Sequence, residues 1–286
     1  MAYAGETAYI TGGASGIGRF VATAFASKGM KVVLADRNFE GAQDVARELN
    51  KEGHQVAWAV MIDVADWEAQ RAGFEAAVEL LGGRIDYVFA VAGIFDVAWL
   101  PNRPKATTFE KPNLAPIDIN ATGALYTSSL AIQQFRRQEA NKHGFHGKLV
   151  IVASGAGFYM IPAMPLYCAS KTAIVGFVRS MGKLLAAENI TLNAICPGIM
   201  RTAISTGDFH DTAEKRGLLV SPVTLVAAFE QLLGTDGTTG EAIEVMPDGA
   251  VIKEGAAYTN EDCRVRAEWA HQQTLQGNKV LAQSFH

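Results

Sequence analysis

Seven short apolar runs recur along this chain, each separated from the next by enough residues for a helix: TAYIT (7 to 11), KVVLAD (31 to 36), QVAWAVMID (55 to 63), YVFAVAG (87 to 93), KLVIVAS (148 to 154), TLNAICPG (191 to 198) and AIEVMPDG (242 to 249). They are continuously apolar rather than alternating, so each reads as a strand covered on both faces. Helical patterns fall between them at about 16–28, 39–52, 66–81, 121–141, 167–187 and 222–233. This alternation predicts an α/β fold, a single-domain Rossmann-type doubly wound parallel sheet of about seven strands with helices on both faces. The domain is expected over 1–253, followed by a partly helical C-terminal tail over 254–286. Two stretches break the rhythm: 94–118, with Pro101, Pro104, Pro112 and Pro116, and the polar run 203–221. Loops this long in a compact α/β domain serve as functional lids or are disordered.

Composition narrows the function classes. With 286 residues, 49% of them hydrophobic, the chain can bury a large core. A formal charge of −4, a pI near 5.9 and no basic block point away from nucleic acid and from anionic membranes as partners. Cys168, Cys196 and Cys263 are odd in number and lack metal-type spacing, so free thiols in a reducing compartment are expected, and no metal site. No targeting pattern opens the chain and no apolar stretch approaches about 20 residues, which predicts a soluble, cytoplasmic protein.

The first strand runs into TGGASGIG and then into a helix. Glycines 12, 13, 16 and 18 permit a tight turn and close backbone approach, and the helix N-terminus offers unpaired N–H groups to a pyrophosphate. The second strand ends in Asp36, where a carboxylate can accept from an adenosine ribose. Strand, glycine turn, helix and strand-terminal acid together predict dinucleotide binding. Asp36 would repel a 2′-phosphate, and Ser15 stands where a phosphate-binding base might, so NAD is favoured over NADP. Arg37 argues the other way, since its guanidinium could meet a phosphate or stack on adenine. Asp63 and Val64 end the third strand, placed for the adenine edge; Asp63 reads nearly as well as a cap for the helix beginning near 66.

The run YCASK puts Tyr167 and Lys171 at i and i+4, one helix face, with Cβ atoms about 5–6 Å apart. A cation there favours a phenolate and makes the tyrosine a stronger acid than its usual pKa of about 10 suggests. Five residues alone leave open a surface pair that shares a face by chance.

Taken together, TGGASGIG, AVAG (90 to 93), Asn120 in DIN, Ser154, YCASK and PGIMRT (197 to 202) resemble the short-chain dehydrogenase/reductase family over about residues 5 to 250. Ser154 precedes Tyr167 by thirteen residues, the family's spacing. The text KPNLAPIDINATGALYTSSLAI resembles the branch containing 15-hydroxyprostaglandin dehydrogenase and related fungal enzymes. Two departures stand out: AVAG carries Val91 where the family has an Asn that steadies the central strand, and the tail after 251 is longer than the core requires.

The resemblance implies a catalytic set of Asn120, Ser154, Tyr167 and Lys171. Tyr167 would exchange the hydroxyl proton during hydride transfer, Lys171 would lower its pKa and hold the nicotinamide ribose, Ser154 would donate to the substrate oxygen, and Asn120 would hold a water leading to solvent. It extends the cofactor contacts to Gly12, Gly16, Ile17, Gly18, Ala92, Gly93, Pro197, Gly198, Ile199 and Thr202. The expected substrate pocket, Phe95, Trp99, Phe158, Tyr159, Met160, Ile161, Met164, Met200, Ile204 and Phe209, is nearly all apolar, which favours a bulky lipophilic secondary alcohol or ketone. The competing readings are an NADPH-dependent carbonyl reductase, a family member doing lyase, isomerase or cyclase chemistry, and a cofactor-binding module without catalysis. The resemblance implies that helices 121–141 and 167–187 pack against their copies about a two-fold axis; they carry apolar stripes (Leu125, Leu130, Ile132, Phe135 and Ile174, Phe177, Val178, Met181) in keeping with a homodimer or homotetramer.

Overall fold

A computed structural model of the chain describes residues 2–51, 54–100, 107–202, 204 and 207–284, with side chains as far as 274. Pro101 and Pro104 of the first long loop, and Ala203, Ser205 and Thr206 of the second, lie outside the described residues. Strands β1 (Thr7–Thr11), β2 (Lys31–Asp36), β3 (Ala57–Met61), β4 (Tyr87–Ala90), β5 (Gly147–Val152), β6 (Ile190–Pro197), β7 (Ala242–Met246) and β8 (Gly249–Ile252) form one sheet in the order β3-β2-β1-β4-β5-β6-β7-β8. Neighbours from β3 to β7 pair in parallel; β8 pairs antiparallel with β7.

Among the described residues there are thus eight strands, one more than expected. The run AIEVMPDG reads as one strand, but Pro247 and Asp248 form a two-residue hairpin turn: Met246 pairs with Gly249, whose φ of 148° suits glycine. The chain folds back there and adds an edge strand.

The helices are α1 (Gly16–Ala26), α2 (Phe39–Leu49), α3 (Trp67–Leu80), α4 (Ala115–Ile117), α5 (Ala124–Arg136), α6 (Pro165–Leu185), α7 (Gly207–Lys215), α8 (Pro222–Glu230) and α9 (Glu261–Ser284). Successive side chains of each strand serve opposite faces, which explains the continuous apolar runs. Ala8, Ile10, Val32, Leu34 and Phe89 pack with Val21 and Phe25 of α1, Val45 of α2 and Phe229 of α8. Tyr9, Val33, Val88, Leu149 and Leu192 pack on the other face with Phe74 of α3, Phe135 of α5 and Ile174 and Val178 of α6.

The expected single helix over 121–141 is a composite. Between α4 and α5 the six residues Asp118–Gly123 form a π-helical turn. Likewise, the described part of the polar run contains α7, and Arg201 pairs with Asp211 at 2.8 Å and Glu214 at 3.0 Å on that helix. The chain divides into two compact units, Met1–Lys253 and Glu254–His286. Within the second, Arg264 of α9 pairs with Glu261 and Glu268. Among the described residues no helix is long and apolar enough to cross a membrane, and no cluster of three His, Cys, Asp or Glu could hold a metal.

Candidate active site

Strand order reverses between β1 and β4, so the connections leaving these strands part in opposite directions and open a crevice at their carboxyl ends. The crevice is a cleft of about 860 Å³. Its walls bring together every residue expected to contact a dinucleotide: Gly12, Ser15, Gly16, Ile17 and Gly18 after β1; Asp36 and Arg37 at the end of β2; Asp63 and Val64 after β3; Ala92 and Gly93 after β4; Tyr167 and Lys171 of α6; and Pro197, Gly198, Ile199 and Thr202 after β6.

The local geometry fits such a ligand. Ser15, the N-cap of α1, makes no side-chain cap bond, and the first turn carries no acidic residue, so no carboxylate competes with a phosphate for the unpaired N–H groups. Gly12 has φ of 71°, and a Cβ there would lie 2.9 Å from Ala92 Cα; at Gly18 a Cβ would meet the Gly12 carbonyl oxygen at 2.1 Å. Only glycines let α1 press this closely on the loop. Asp36 accepts from Ala14 N at 3.0 Å and from Asn38 N at 2.9 Å, one bond on each oxygen. A carboxylate has about four lone-pair sites, so it can fasten the glycine loop and still accept from two ribose hydroxyls. Asp63 accepts from Ala65 N at 2.9 Å, and α3 is capped instead by Asp66, which accepts from Ala69 N at 2.9 Å.

The loop after β4 has a support that the sequence reading missed. With Val91 in place of the family's Asn, the backbone N–H groups of Val91 and Ala92 both donate to Thr11 Oγ1, at 3.0 and 3.2 Å. Val91 itself packs against the core. Leaving two such N–H groups without acceptors would cost about 1–3 kcal/mol each. Gln70 is a second missed support: fully buried, it donates to the carbonyls of Val64 at 2.6 Å and Gly123 at 2.8 Å, tying the adenine-side loop to the π-helical turn.

Pro165 starts α6 and sets Tyr167 in its first turn, with Lys171 one turn further along. Ser154, two residues past β5, caps the short turn Gly155–Gly157 by accepting from Ala156 N at 3.1 Å, and its hydroxyl acts to lower the pKa of the Tyr167 phenol. Burial outweighs that effect and holds Tyr167 above its ordinary value. The expectation that Lys171 depresses Tyr167 is therefore not met in this arrangement. The Lys171 ammonium lies 5.7 Å from the tyrosine ring centroid, donates to Val152 O at 2.8 Å, and is itself pushed down to about 8 by burial. Beneath it, burial pushes the Cys196 thiol up to about 12, so this cysteine stays neutral.

Asn120 does not line the cleft. It is buried, accepts from Ile94 N at 2.8 Å, and donates to Ile94 O at 2.9 Å and to Ser170 Oγ at 3.1 Å. With the amide so occupied, the side chain joins the β4 loop to α6 and has little capacity left for the water it was expected to hold.

Of the expected substrate wall, Phe95, Tyr159, Met164, Met200 and Ile204 line the cleft, with Ile161 and Phe209. Trp99, Phe158 and Met160 are not among the lining residues. The Trp99 carbonyl accepts from Asn113 N at 3.1 Å, Phe158 packs on the core under the Arg179 guanidinium, and Met160 points to solvent at 62% exposure. Consecutive apolar residues leave the chain in different directions, and the run FYMI does not say which. The wall is also less uniformly apolar than expected, because the Tyr159 hydroxyl donates to Glu244 at 3.1 Å and accepts from Lys253 at 2.8 Å.

Known proteins share this fold. The family profile described as short chain dehydrogenase matches residues 6–213. The short-chain dehydrogenase/reductase prx7 of Penicillium rubens is 29% identical over 261 residues, 83% of this chain and 89% of that protein. Human 15-hydroxyprostaglandin dehydrogenase [NAD(+)] is 34% identical over 203 residues, 70% of each chain. Among solved structures, a 3-ketoacyl-(acyl-carrier-protein) reductase from Brucella melitensis complexed with NADH superposes with a TM-score of 0.71 at 27% identity, covering 85% of this chain and 97% of that one.

Burial of Lys171 has a measurable consequence. In nucleotide-free protein its ammonium is expected to titrate near 8 rather than near 10.5, read from the pH dependence of its 15N resonance. Between those values the unfolded chain holds a proton that the folded chain has released, so on this residue's account stability rises with pH across that window. Wild type should therefore gain on Lys171→Met in thermal melts between pH 8 and 10; an unchanging difference, or a midpoint near the ordinary lysine value, contradicts the burial argument.

Proposed function

The chain belongs to the short-chain dehydrogenase family, and from that premise we propose that it transfers a hydride between NAD(H) and a bulky, lipophilic secondary alcohol or its ketone, with Tyr167 as acid and base. The observation that carries this reading is the convergence in one cleft of the unencumbered α1 N-terminus and Asp36 with the side chains of Ser154, Tyr167 and Lys171. A nicotinamide bound there supplies the hydride acceptor or donor. The chain's own residues handle the proton. Ser154 presents a hydroxyl to the substrate oxygen, and Tyr167 takes the hydroxyl proton in oxidation or returns it to the developing alkoxide in reduction. Lys171, fastened by one N–H to Val152 O, keeps two more donors for the ribose hydroxyls. Tyr167→Phe removes only the phenolic oxygen; turnover should fall by about 10³-fold or more while the Kd for NADH stays within about two-fold. Substantial residual turnover would remove Tyr167 from this role.

NAD is the proposed cofactor because the Asp36 carboxylate, held by two backbone N–H groups, would meet a 2′-phosphate with like charge. The human relative's name carries NAD(+) and the Brucella reductase was solved with NADH, which supports the same choice. Phe95, Ile161, Met164, Ile204 and Phe209 support a lipophilic substrate. Each added CH₂ that reaches such a wall contributes about 0.8 kcal/mol, so kcat/KM should climb along a series of longer or polycyclic alcohols until the pocket is full. Assaying that series with NAD and with NADP tests the whole reading. Faster turnover with NADP favours the carbonyl reductase alternative, a flat series or a preference for sugars removes the apolar pocket, and no nicotinamide-linked turnover sinks the oxidoreductase assignment.

A homo-oligomer built on α5 and α6 is proposed as well, on narrower ground than the apolar stripes suggest. Leu130, Ile132, Phe135, Ile174 and Val178 are buried in the subunit's own core, which leaves Leu125 exposed and Phe177 and Met181 half-buried at the helix surface. Light scattering at micromolar protein should give a dimer or tetramer mass; a monomer removes the interface. Among the described residues Cys168 and Cys196 are buried free thiols and Cys263 an exposed one, which suits a reducing compartment and supports a cytoplasmic location.

A further inference from the structure

The first turn of a helix leaves its backbone N–H groups without carbonyl partners. In α6 the intrahelical bonding begins at Cys168, whose N–H donates to Met164 O at 3.0 Å, and the N-cap Met164 offers no side-chain acceptor. The N–H of Tyr167, immediately before Cys168, therefore depends on a partner from elsewhere in the fold. Asp96, in the loop after β4, supplies it: Oδ2 accepts from Tyr167 N at 3.2 Å, while Oδ1 accepts from Val97 N at 2.8 Å and fixes the carboxylate.

The two residues before Asp96 grip the same tyrosine. The Phe95 ring lies 5.3 Å from the Tyr167 ring, centroid to centroid. Ile94 is held at its N–H and its carbonyl by Asn120, which donates to Ser170 Oγ at 3.1 Å; Ser170 Oγ in turn donates to Tyr167 O at 2.8 Å. Backbone N–H, ring and carbonyl of Tyr167 are thus tied to three consecutive residues, 94 to 96.

We infer that Asp96 is a positioning residue for Tyr167, capping the first turn of α6 so that the phenol stays aimed at Ser154. The inference rests on the oxidoreductase reading of the site. It concerns the placement of an acceptor oxygen rather than its charge: a carboxylate is favourable at a helix N-terminus, but a negative charge near a tyrosine opposes the phenolate. Catalytic groups must be held to about 0.5 Å, and a misplacement of about 1 Å costs on the order of 10²-fold in rate. The cap therefore belongs to kcat and not to cofactor binding, since Asp96 does not line the cleft.

Three variants separate place from charge. Asp96→Asn removes the charge and keeps one acceptor oxygen, which serves Tyr167 N while the bond from Val97 N is given up; Asp96→Glu keeps the charge and moves the oxygen; Asp96→Ala removes both. With the best alcohol of the series above, Asp96→Glu and Asp96→Ala are expected to lose about 10- to 100-fold in kcat, with the Kd for NADH within about two-fold of wild type, and Asp96→Asn to stay within about three-fold. Hydrogen exchange at the Tyr167 amide, which needs no turnover, should quicken in the Glu and Ala variants and not in the Asn variant. If Asp96→Ala does not fold, the Asn and Glu pair carries the comparison. Wild-type kcat in Asp96→Glu, equal losses in Asn and Glu, or unchanged exchange in Glu each overturns the inference, as does a loss of NADH affinity matching the loss of kcat. A wild-type protein that turns over no alcohol or ketone sinks the oxidoreductase reading instead, and the exchange measurement still decides whether Asp96 holds the tyrosine.

Discussion

Most of what this molecule can do depends on the seam between β1 and β4. Strand order reverses there, so the crossovers on either side leave in opposite directions and the carboxyl ends of the strands face an open crevice. A seam of this kind exposes the backbone that enters it, and that backbone needs partners. Thr11 at the end of β1 supplies them for Val91 and Ala92, and the absence of a side chain at Gly12 lets the two loops lie within van der Waals contact. The nucleotide-binding geometry is thus the local solution to a packing problem that the parallel sheet creates.

Electrostatics in the cleft is governed by dehydration more than by pairing. Lys171 and Tyr167 share a helix face, yet burial is the largest influence on each and disfavours the charged form of both. The consequence is a neutral phenol beside a lysine that releases its proton near pH 8. Such a site is sensitive to added charge, because a cation entering a dehydrated pocket acts through a lower dielectric than it would in water.

Seven of the eight strands were legible because both faces of each are buried, which leaves an uninterrupted apolar signature. The glycine turn and YCASK were legible because their chemistry is local: close backbone approach at Gly18, and one helix turn from Tyr167 to Lys171. What escaped depends on contacts between distant residues. Thr11, Gln70, Asp96 and Ser170 each act through a hydrogen bond to a loop or helix far along the chain, and no spacing rule marks them. Strand β8 was hidden by a two-residue hairpin inside what reads as one run, and the directions of Trp99, Phe158 and Met160 by the lack of periodicity in a loop.

The π-helical turn at Asp118–Gly123 bears on how this chain can change over time. A π turn holds one residue more than an α-helix would use for the same rise, and its wider ring packs less well along the helix axis. Deleting one residue from this segment would let α4 run into α5 as an unbroken α-helix, with better backbone hydrogen bonding. Every residue upstream would then rotate by about 100° relative to α5. Asn120 would turn away from Ile94 and Ser170, and the brace between the β4 loop and the catalytic helix would be lost. The most accessible route to a sturdier helix is therefore closed by the site it supports, and an irregular turn becomes the feature least free to be repaired.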